Sequence, residues 1–467
     1  MRFIRGTFVD TPAAGKLRIR LDHVLVVDGR GFISHVLPFS DPTIQSALAL
    51  APASAAPDSH SRALTTLPAH TFLLPTFADL HIHAPQYLYA GTGLDAPLMQ
   101  WLDRYAYAAE ERVDADPALA ERLYARLARR LLEAGTGAAV AFGTIGVQAN
   151  LLLAQAFQAA GIRAFVGKLS MDNSPRPTYG EASTAESLAS LTSFLDGMDA
   201  LAAPLATHER LVHPILTPRF VPVCSDELLR GIADIAHARG VKVQSHMCES
   251  RDQMAWVEGS RGKRDEVVFD EAGLLTEHTV QAHVTSFPPR LVELVKARGV
   301  TVAHCPLSNA YFSDAAFPLR EAIDAGVKVG LGSDIAGGYA LPLQVQMRQA
   351  VVVARLREGA RREAAFEAGE EAGDGKGLRV DWVEALYLAT RGGKGALGLG
   401  GVFEPGMEFD AQQITLAEDG AGVGQLDLFD LPDAPGLEWW TETVERWWCN
   451  GDDRNRTAVW VQGRQVL

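Results

Sequence analysis

Between Thr71 and Leu397, short runs of consecutive apolar residues alternate with longer stretches in which apolar residues recur every three or four positions. A short unbroken apolar run reads as a strand buried on both faces, and the wider spacing reads as an amphipathic helix. The strands predicted in this way are Phe72–His83, Ala138–Thr144, Arg163–Ser170, Leu211–Thr217, Lys242–His246, Val280–His283, Val300–Cys305 and Lys328–Gly332. Helices are predicted over Leu119–Ala134, Leu151–Ala160, Thr184–Leu201, Asp226–Arg239, Val267–Thr276, Pro289–Arg298, Ala316–Ala325 and Leu341–Glu358. Several of them run into a glycine (Gly135, Gly161, Gly240, Gly299, Gly326), the residue that most readily stops a helix. Apolar strands alternating with helices in this number predict an α/β fold, a (β/α)8 barrel rather than an open sheet.

The ends of the chain have a different texture. Arg2–Val9, Lys16–Arg20, His23–Asp28 and Gly31–Leu37 read as short strands with turn residues between them. Ala47–Leu67 is rich in Ala, Ser and Pro and reads as a mobile surface loop. Glu358–Leu378 reads as a solvated helix end or an insertion without fixed structure, after which Val380–Leu397 resumes a helical spacing. Strands are predicted again at Gln413–Leu416, in the aromatic Trp439–Thr443 region and at Ala458–Leu467. Strand-rich sequence at both ends predicts one small β domain built from residues 1–70 and 401–467, with the barrel at 71–400. There is no internal repeat.

Composition narrows the partners. The chain has 467 residues, 47% hydrophobic and 21% charged, enough to bury a large core. It lacks an apolar run of about 18 residues, so no transmembrane helix and no membrane partner is expected. The opening residues lack the apolar core of a signal peptide. Cys224, Cys248, Cys305 and Cys449 are too widely spaced for a disulfide framework or a paired zinc motif, which points to a reducing, cytoplasmic setting. A net charge of −14 argues against nucleic acid, whose backbone selects basic surfaces, and favours a small neutral or cationic substrate.

In a (β/α)8 barrel the reactive groups sit at the C-terminal ends of the strands. Read in order, those ends carry His81 and His83, then His246 followed by Glu249, then His283, His304 and Asp334. His81 and His83 are two apart, so one strand face presents both imidazoles to a single point. Three or four imidazoles with one carboxylate form a ligand set for a mononuclear transition metal with an open position, zinc or iron. Such an ion lowers the pKa of bound water towards neutrality. Hydrolytic attack on an amidine-type carbon also needs a proton carrier, and Glu249 stands in place for it. His283 is a candidate for holding the attacking water, and Asp334, the last ligand, for accepting its proton.

Other residues take plainer roles. His304 is either a support for the site or part of the core. His23, His35, His60, His70, His208, His213, His237 and His278 fall outside the strand-end pattern and read as surface or core. Cys248 and Cys305 read as small buried hydrophobes rather than thiolate ligands. The fourth strand lacks the lysine that bridges two metals in some barrels of this kind, and Lys168 lies on the third, so one metal is expected.

His81-Ile-His-Ala-Pro-Gln-Tyr87, Gly167-Lys-Leu-Ser-Met-Asp172, Thr217-Pro-Arg-Phe220, Gln244-Ser-His-Met-Cys-Glu-Ser-Arg-Asp252, Ala303-His-Cys-Pro306 with Ser308-Asn309, Gly330-Leu-Gly-Ser-Asp-Ile-Ala-Gly-Gly338 and Gly451-Asp-Asp-Arg-Asn455 span most of the chain. Together they resemble the amidohydrolase superfamily, and within it the branch that deaminates guanine. The resemblance implies zinc on His81, His83, His246 and Asp334, proton transfer by Glu249, and a hydroxide positioned by His283. It also implies that Gln86 and Arg219 hydrogen-bond a purine edge, that Phe220 packs on the ring, and that the protein is a homodimer. Thr76 and Ser170 depart from the usual glycine and cysteine, at positions without chemistry. Another aminopurine, a pterin or a triazine remain alternative substrates on the same barrel. An inactive homologue serving as a binding protein would show a broken ligand, and none is broken.

Overall fold

Apolar runs and helical stretches alternate because each strand must bury both faces, one in the barrel interior and one under helices. The computed structural model describes residues 1–50, 64–313, 315–371, 373 and 375–467. The barrel strands are Phe77–His83, Thr136–Phe142, Arg163–Gly167 continued by Leu169–Ser170, Val212–Pro218, Lys242–Met247, Thr279–His283, Thr301–His304 and Lys328–Leu331. They follow one another in the sheet in chain order, and the pairs from the second strand to the eighth are parallel. After the eighth strand the Asp334 N–H donates to the His81 carbonyl (2.8 Å), and the His83 N–H donates to the Ile335 carbonyl (2.9 Å). Those two bonds bring the far end of the sheet back to its first strand and leave the barrel nearly closed.

The helices follow their spacing. In Pro117–Glu133 the buried residues Ala120, Leu123, Tyr124, Leu127, Ala128 and Leu131 form one stripe at three- and four-residue intervals. The predicted glycine stops hold: Gly161 (φ +79°), Gly240 (+62°) and Gly299 (+69°) end their helices in the left-handed conformation.

The chain divides into two compact units, Met1–Ala78 with Leu131–Gly137 and Trp382–Leu467, and Asp79–Arg130 with Ala138–Asp381. The first unit carries a sheet ordered Arg464–Gln465, Arg456–Val461, Ala411–Thr415, Thr71–Pro75, Arg2–Ala13, Lys16–Val27, Ile33–Pro38, so strands from both ends of the chain share it. Its core gathers Phe8, Leu73, Phe403, Phe409 and Trp460.

Several elements differ from the reading of the sequence. The run Phe72–His83 is two strands in two sheets: Thr71–Pro75 pairs with Ala411–Thr415, and Phe77–His83 enters the barrel. The switch falls after Pro75, which has no N–H for a ladder, while the Thr76 N–H turns to the Asp410 carbonyl. The Trp439–Thr443 region is helical, within Leu437–Asn450, because Trp440, Val444, Trp447 and Trp448 line one helical face whatever their strand propensity. Part of the Ala47–Leu67 stretch belongs to the helix Pro42–Leu50 and part to the strand Leu64–Thr66; residues 51–63 lie outside the described residues. The last long helix runs Leu343–Glu367, past Glu358, whose buried carboxylate accepts from Arg361, Arg362 and the Leu378 N–H. Arg251–Arg261 and Pro306–Phe312 are helices that the apolar spacing did not announce. Among the described residues, no helix is long and apolar enough to cross a membrane.

Candidate metal centre and active site

Asp79, His81 and His83 alternate on the first barrel strand and share a face. The two imidazoles meet edge to face with ring centroids 5.0 Å apart, and His246 from the fifth strand lies 4.8 Å from His81 and 5.1 Å from His83. His83 Nε2 and His246 Nε2 are 3.0 Å apart. Asp334 Oδ1, from the turn after the eighth strand, is 3.1 Å from His81 Nε2 and 3.5 Å from His83 Nε2. Donor atoms of His81, His83 and His246 thus lie within 4.8 Å of one another, with Asp334 Oδ1 beside two of them. Zinc–nitrogen bonds of about 2.0–2.1 Å in a tetrahedron hold donor atoms roughly 3.3 Å apart, and the three donor distances just given, 3.0, 3.1 and 3.5 Å, bracket that value.

Protonation agrees with a cation in that place. Burial, with the charges of neighbouring imidazoles, pushes His81, His83 and His246 well below the usual histidine range, so each is a neutral donor. The buried His81 Nε2 has no hydrogen-bond partner among the described residues. His246 Nδ1 faces the Arg219 carbonyl at 2.6 Å, which sets the tautomer and turns the Nε2 lone pair inward. Asp79 Oδ1 accepts from the His81 N–H (3.2 Å) and the Ser333 N–H (2.9 Å), tying the first strand to the segment that carries Asp334. The residues present fit a divalent ion.

Beside the donors stand two more groups. Glu249 follows the fifth strand, and its peptide is pinned on every side: its N–H donates to Gln253 Oε1 (2.7 Å), and Thr285 Oγ1 donates to the Glu249 carbonyl (2.9 Å). Asp265 anchors the same turn by accepting from the Cys248 N–H (2.8 Å) and Gln253 Nε2 (3.0 Å). Burial, helped by the Asp334 charge, raises Glu249 to about 8. His283 Nε2 lies 3.8 Å from Glu249 Oε1 and 3.9 Å from Asp334 Oδ2. Its Nδ1 donates to Asn309 Oδ1 (2.9 Å), which leaves Nε2 as an acceptor facing the two carboxyl groups. Cys248 (φ +50°), His283 (+72°) and Asp334 (+48°) all occupy the left-handed region, where side chains are strained and functional residues cluster.

Across the pocket the wall has another chemistry. His83, Gln86, Trp101, Arg219, Phe220 and Phe312 are among its lining residues. Gln86 sits in the 3-10 turn Ala84–Tyr89 just beyond the His83 strand end, and Arg219 and Phe220 follow the fourth strand. Gln86 Nε2 donates to Glu110 Oε1 (3.0 Å), and Arg219 Nη1 donates to Glu110 Oε2 (2.5 Å). The Arg219 guanidinium carbon lies 4.6 Å from the Tyr107 ring centre. Burial, the largest single effect, lowers Arg219, but the Glu110 charge and hydrogen bond, with Tyr107 and Tyr179, together outweigh it and the group stays cationic. Gln86 Oε1 and Arg219 Nη2 have no hydrogen-bond partner among the described residues. The Phe220 ring stands 6.4 Å from His246 and 5.9 Å from Trp256.

Seven of the nine residues singled out from the sequence line one pocket, and His81 and His283 stand beside it against His83, His246 and Asp334. His304 is linked to it through Asn309, whose Nδ2 is 3.5 Å from His304 Nδ1. Cys305 Sγ comes within 4.8 Å of donor atoms of His81 and His283, yet burial holds its thiol well above the usual range and so protonated. His23, His35, His70, His208, His213, His237 and His278 join no such group among the described residues; His60 lies outside them.

Asp79, Glu110 and Phe142, whose ring lies 4.6–4.8 Å from His81, His83 and His246, went unnoticed in the sequence. Strand alternation would have found Asp79, two residues before His81. For Glu110 the signal was a carboxylate on the apolar stripe Ala106, Tyr107, Val113 of an otherwise polar segment.

The amidohydrolase family profile matches residues 72–466. Guanine deaminase of Homo sapiens is 35% identical over 479 residues, covering 99% of this chain and 96% of its own length. Guanine deaminase of Dictyostelium discoideum is 30% identical, covering 100% of this chain and 98% of its own. The crystal structure of guanine deaminase from C. acetobutylicum with bound guanine in the active site superposes with a TM-score of 0.83 at 28% identity, each chain covered in full.

Proposed function

The chain belongs to the amidohydrolase family, and from that premise we infer that it is a metal-dependent hydrolase converting guanine to xanthine and ammonia. The observation that carries this reading is one pocket, lined by three of the four candidate metal donors and by the proton carrier, that also holds Gln86 and Arg219, whose Oε1 and Nη2 have no hydrogen-bond partner among the described residues. Full-length similarity to enzymes that act on guanine supports it.

We propose one Zn²⁺ held by His81, His83, His246 and Asp334; when bound, it supplies the Lewis acid that brings a water towards its hydroxide near neutral pH. The absence of a lysine from Val212–Pro218 supports a single ion. Arg219 donates to the purine's acceptors, of which guanine carries O6 and N7. Gln86 Oε1 receives a purine N–H, and Phe220 packs on the ring, together setting C2 towards the donors. Glu249 takes a proton from the attacking water as the oxygen–C2 bond forms, and passes it on so that the exocyclic nitrogen departs as ammonia. A proton affinity poised near neutrality suits a group that both takes and gives. His283 Nε2 accepts from the water and fixes its direction. Asp334 Oδ2, 3.9 Å from His283 Nε2, faces the same spot.

We further propose a cytoplasmic homodimer. The lack of any disulfide among Cys224, Cys248, Cys305 and Cys449 supports the compartment. Val352, Leu356 and Phe366, exposed on the single helix Leu343–Glu367, support a second chain covering that face. The decisive experiment is loss of guanine absorbance with ammonia release by the zinc-replete protein, beside other aminopurines, pterins and triazines. Turnover of guanine is expected. No turnover by metal-replete protein rules the reading out.

A further inference from the structure

We propose that Glu110 is a positioning residue that sets the hydrogen-bond polarity of the purine-facing wall, and through it the preference for a 6-oxo over a 6-amino ring. The inference rests on the guanine reading above.

A carboxylate accepts and cannot donate, whereas the two ends of a glutamine amide have the same shape and opposite polarity. Both Glu110 oxygens are engaged, Oε1 by Gln86 Nε2 (3.0 Å) and Oε2 by Arg219 Nη1 (2.5 Å). Gln86 therefore has to turn its NH2 towards Glu110, which leaves Oε1 as the acceptor in the pocket. Arg219 spends Nη1 in the same way, and the free Nη2 becomes the donor there. Without Glu110 nothing described forces either choice, since Gln86 has no second side-chain hydrogen bond among the described residues.

Glu110 and Arg219 are both fully enclosed, so their opposite charges also cancel in place. What reaches the pocket is an oriented donor and an oriented acceptor rather than a bare cation. A lactam edge, with its carbonyl beside an N–H, satisfies that pair. A ring carrying an amine at C6 sets donor against donor and strands buried polar groups, the kind of mismatch that yields strong discrimination. Glu110 does not line the pocket, so it acts through its two partners.

The test compares wild-type protein with Glu110→Gln and Glu110→Asp, all zinc-loaded. Guanine kcat and KM are measured, with 2,6-diaminopurine as alternative substrate or competitive inhibitor, and zinc content as a control. Failure of the wild type to turn over guanine strikes the functional reading, not this one. In Glu110→Gln the side chain at 110 can also donate, Gln86 is free to turn over, and Arg219 loses its counter-charge. Zinc should stay at the wild-type level, guanine KM should rise roughly tenfold or more with a smaller change in kcat, and preference for guanine over diaminopurine should fall by at least about tenfold. Glu110→Asp keeps an acceptor-only group that is too short for both partners, so KM should rise while the preference stays within about threefold. An unchanged KM and preference in Glu110→Gln, or equal losses on both purines, overturns the proposal. Should Glu110→Gln fail to fold, Glu110→Asp decides: a wild-type KM, or a collapsed preference, overturns it.

Discussion

The two walls of the pocket are held by different means. On the metal side, strand register and main-chain bonds place the donors: Asp334 N–H to the His81 carbonyl, His83 N–H to the Ile335 carbonyl, His246 Nδ1 to the Arg219 carbonyl. On the purine side a side-chain relay does the placing, with Glu110 gripping Gln86 and Arg219 while Tyr107 covers the guanidinium. A wall built on backbone keeps its shape when one side chain is cut back. A wall built as a relay loses its shape when any member goes. The metal side should then fail by losing its ion or its proton carrier with the fold intact, and the purine side by losing recognition and stability together.

The largest effect separates ion from fold. Dialysis against a chelator should abolish guanine turnover, and about one equivalent of Zn²⁺ per chain should restore it, with far-ultraviolet circular dichroism unchanged throughout. Activity that survives in protein shown by elemental analysis to be metal-free would falsify the assignment of the donors. Loss of secondary structure on chelation would instead show that the ion, not the strand ladder, holds that wall.

Next in size is Glu249→Gln. The amide keeps the shape and cannot relay a proton, so kcat should fall by roughly 10²–10⁴ with zinc content unchanged, because the Glu249 peptide is fixed by Gln253 and Thr285 rather than by its carboxylate. Zinc lost together with activity would make Glu249 a ligand.

The same contrast governs what could be read from the sequence. The positions of the proposed donors were legible because His81, His83, His246, His283 and Asp334 each lie in the last residues of a barrel strand or just beyond it, where such barrels place their chemistry. Gln86, Arg219 and Phe220 came from the resemblance of their motifs, since no periodicity marks a residue in a turn. Glu110 was missed because its role exists only through contacts 24 and 109 positions away in the chain. Errors in the fold have the same root. Pro75 ended one sheet inside a continuous apolar run, and tryptophans with high strand propensity formed a helix because their spacing let them bury one face.

Arg219→Leu probes the relay from its other end and should be milder on turnover. It removes the proposed donor to the purine and leaves the enclosed Glu110 carboxylate without its cation. Guanine kcat/KM should drop roughly 10- to 150-fold, the worth of a hydrogen bond to a charged group. Urea unfolding should show a stability loss of about 3–5 kcal/mol, the penalty for stranding one member of a buried ion pair. Unchanged stability would mean that the carboxylate finds another partner and that the wall is less of a relay than its bonds suggest.

The smallest effect is expected where geometry alone would allow a larger one. Cys305 Sγ comes within 4.8 Å of donor atoms of His81 and His283, close enough to be counted among potential metal donors. Only the thiolate binds metal well, and burial, with the nearby carboxylates Asp334, Asp79 and Glu249, keeps this thiol protonated. Its thiol donates to the Ala303 carbonyl (3.5 Å) and fills a small space under Gly332, where an added Cβ would come within 2.9 Å of the sulfur and 2.7 Å of His81 Cβ. Cys305→Ala should therefore keep its zinc, hold kcat/KM for guanine within about threefold, and lower stability only by the ~1 kcal/mol of losing one small buried group. Loss of zinc from this variant would put the thiolate in the ligand set. In that case the metal side, too, would depend on side chains that strand register alone does not place.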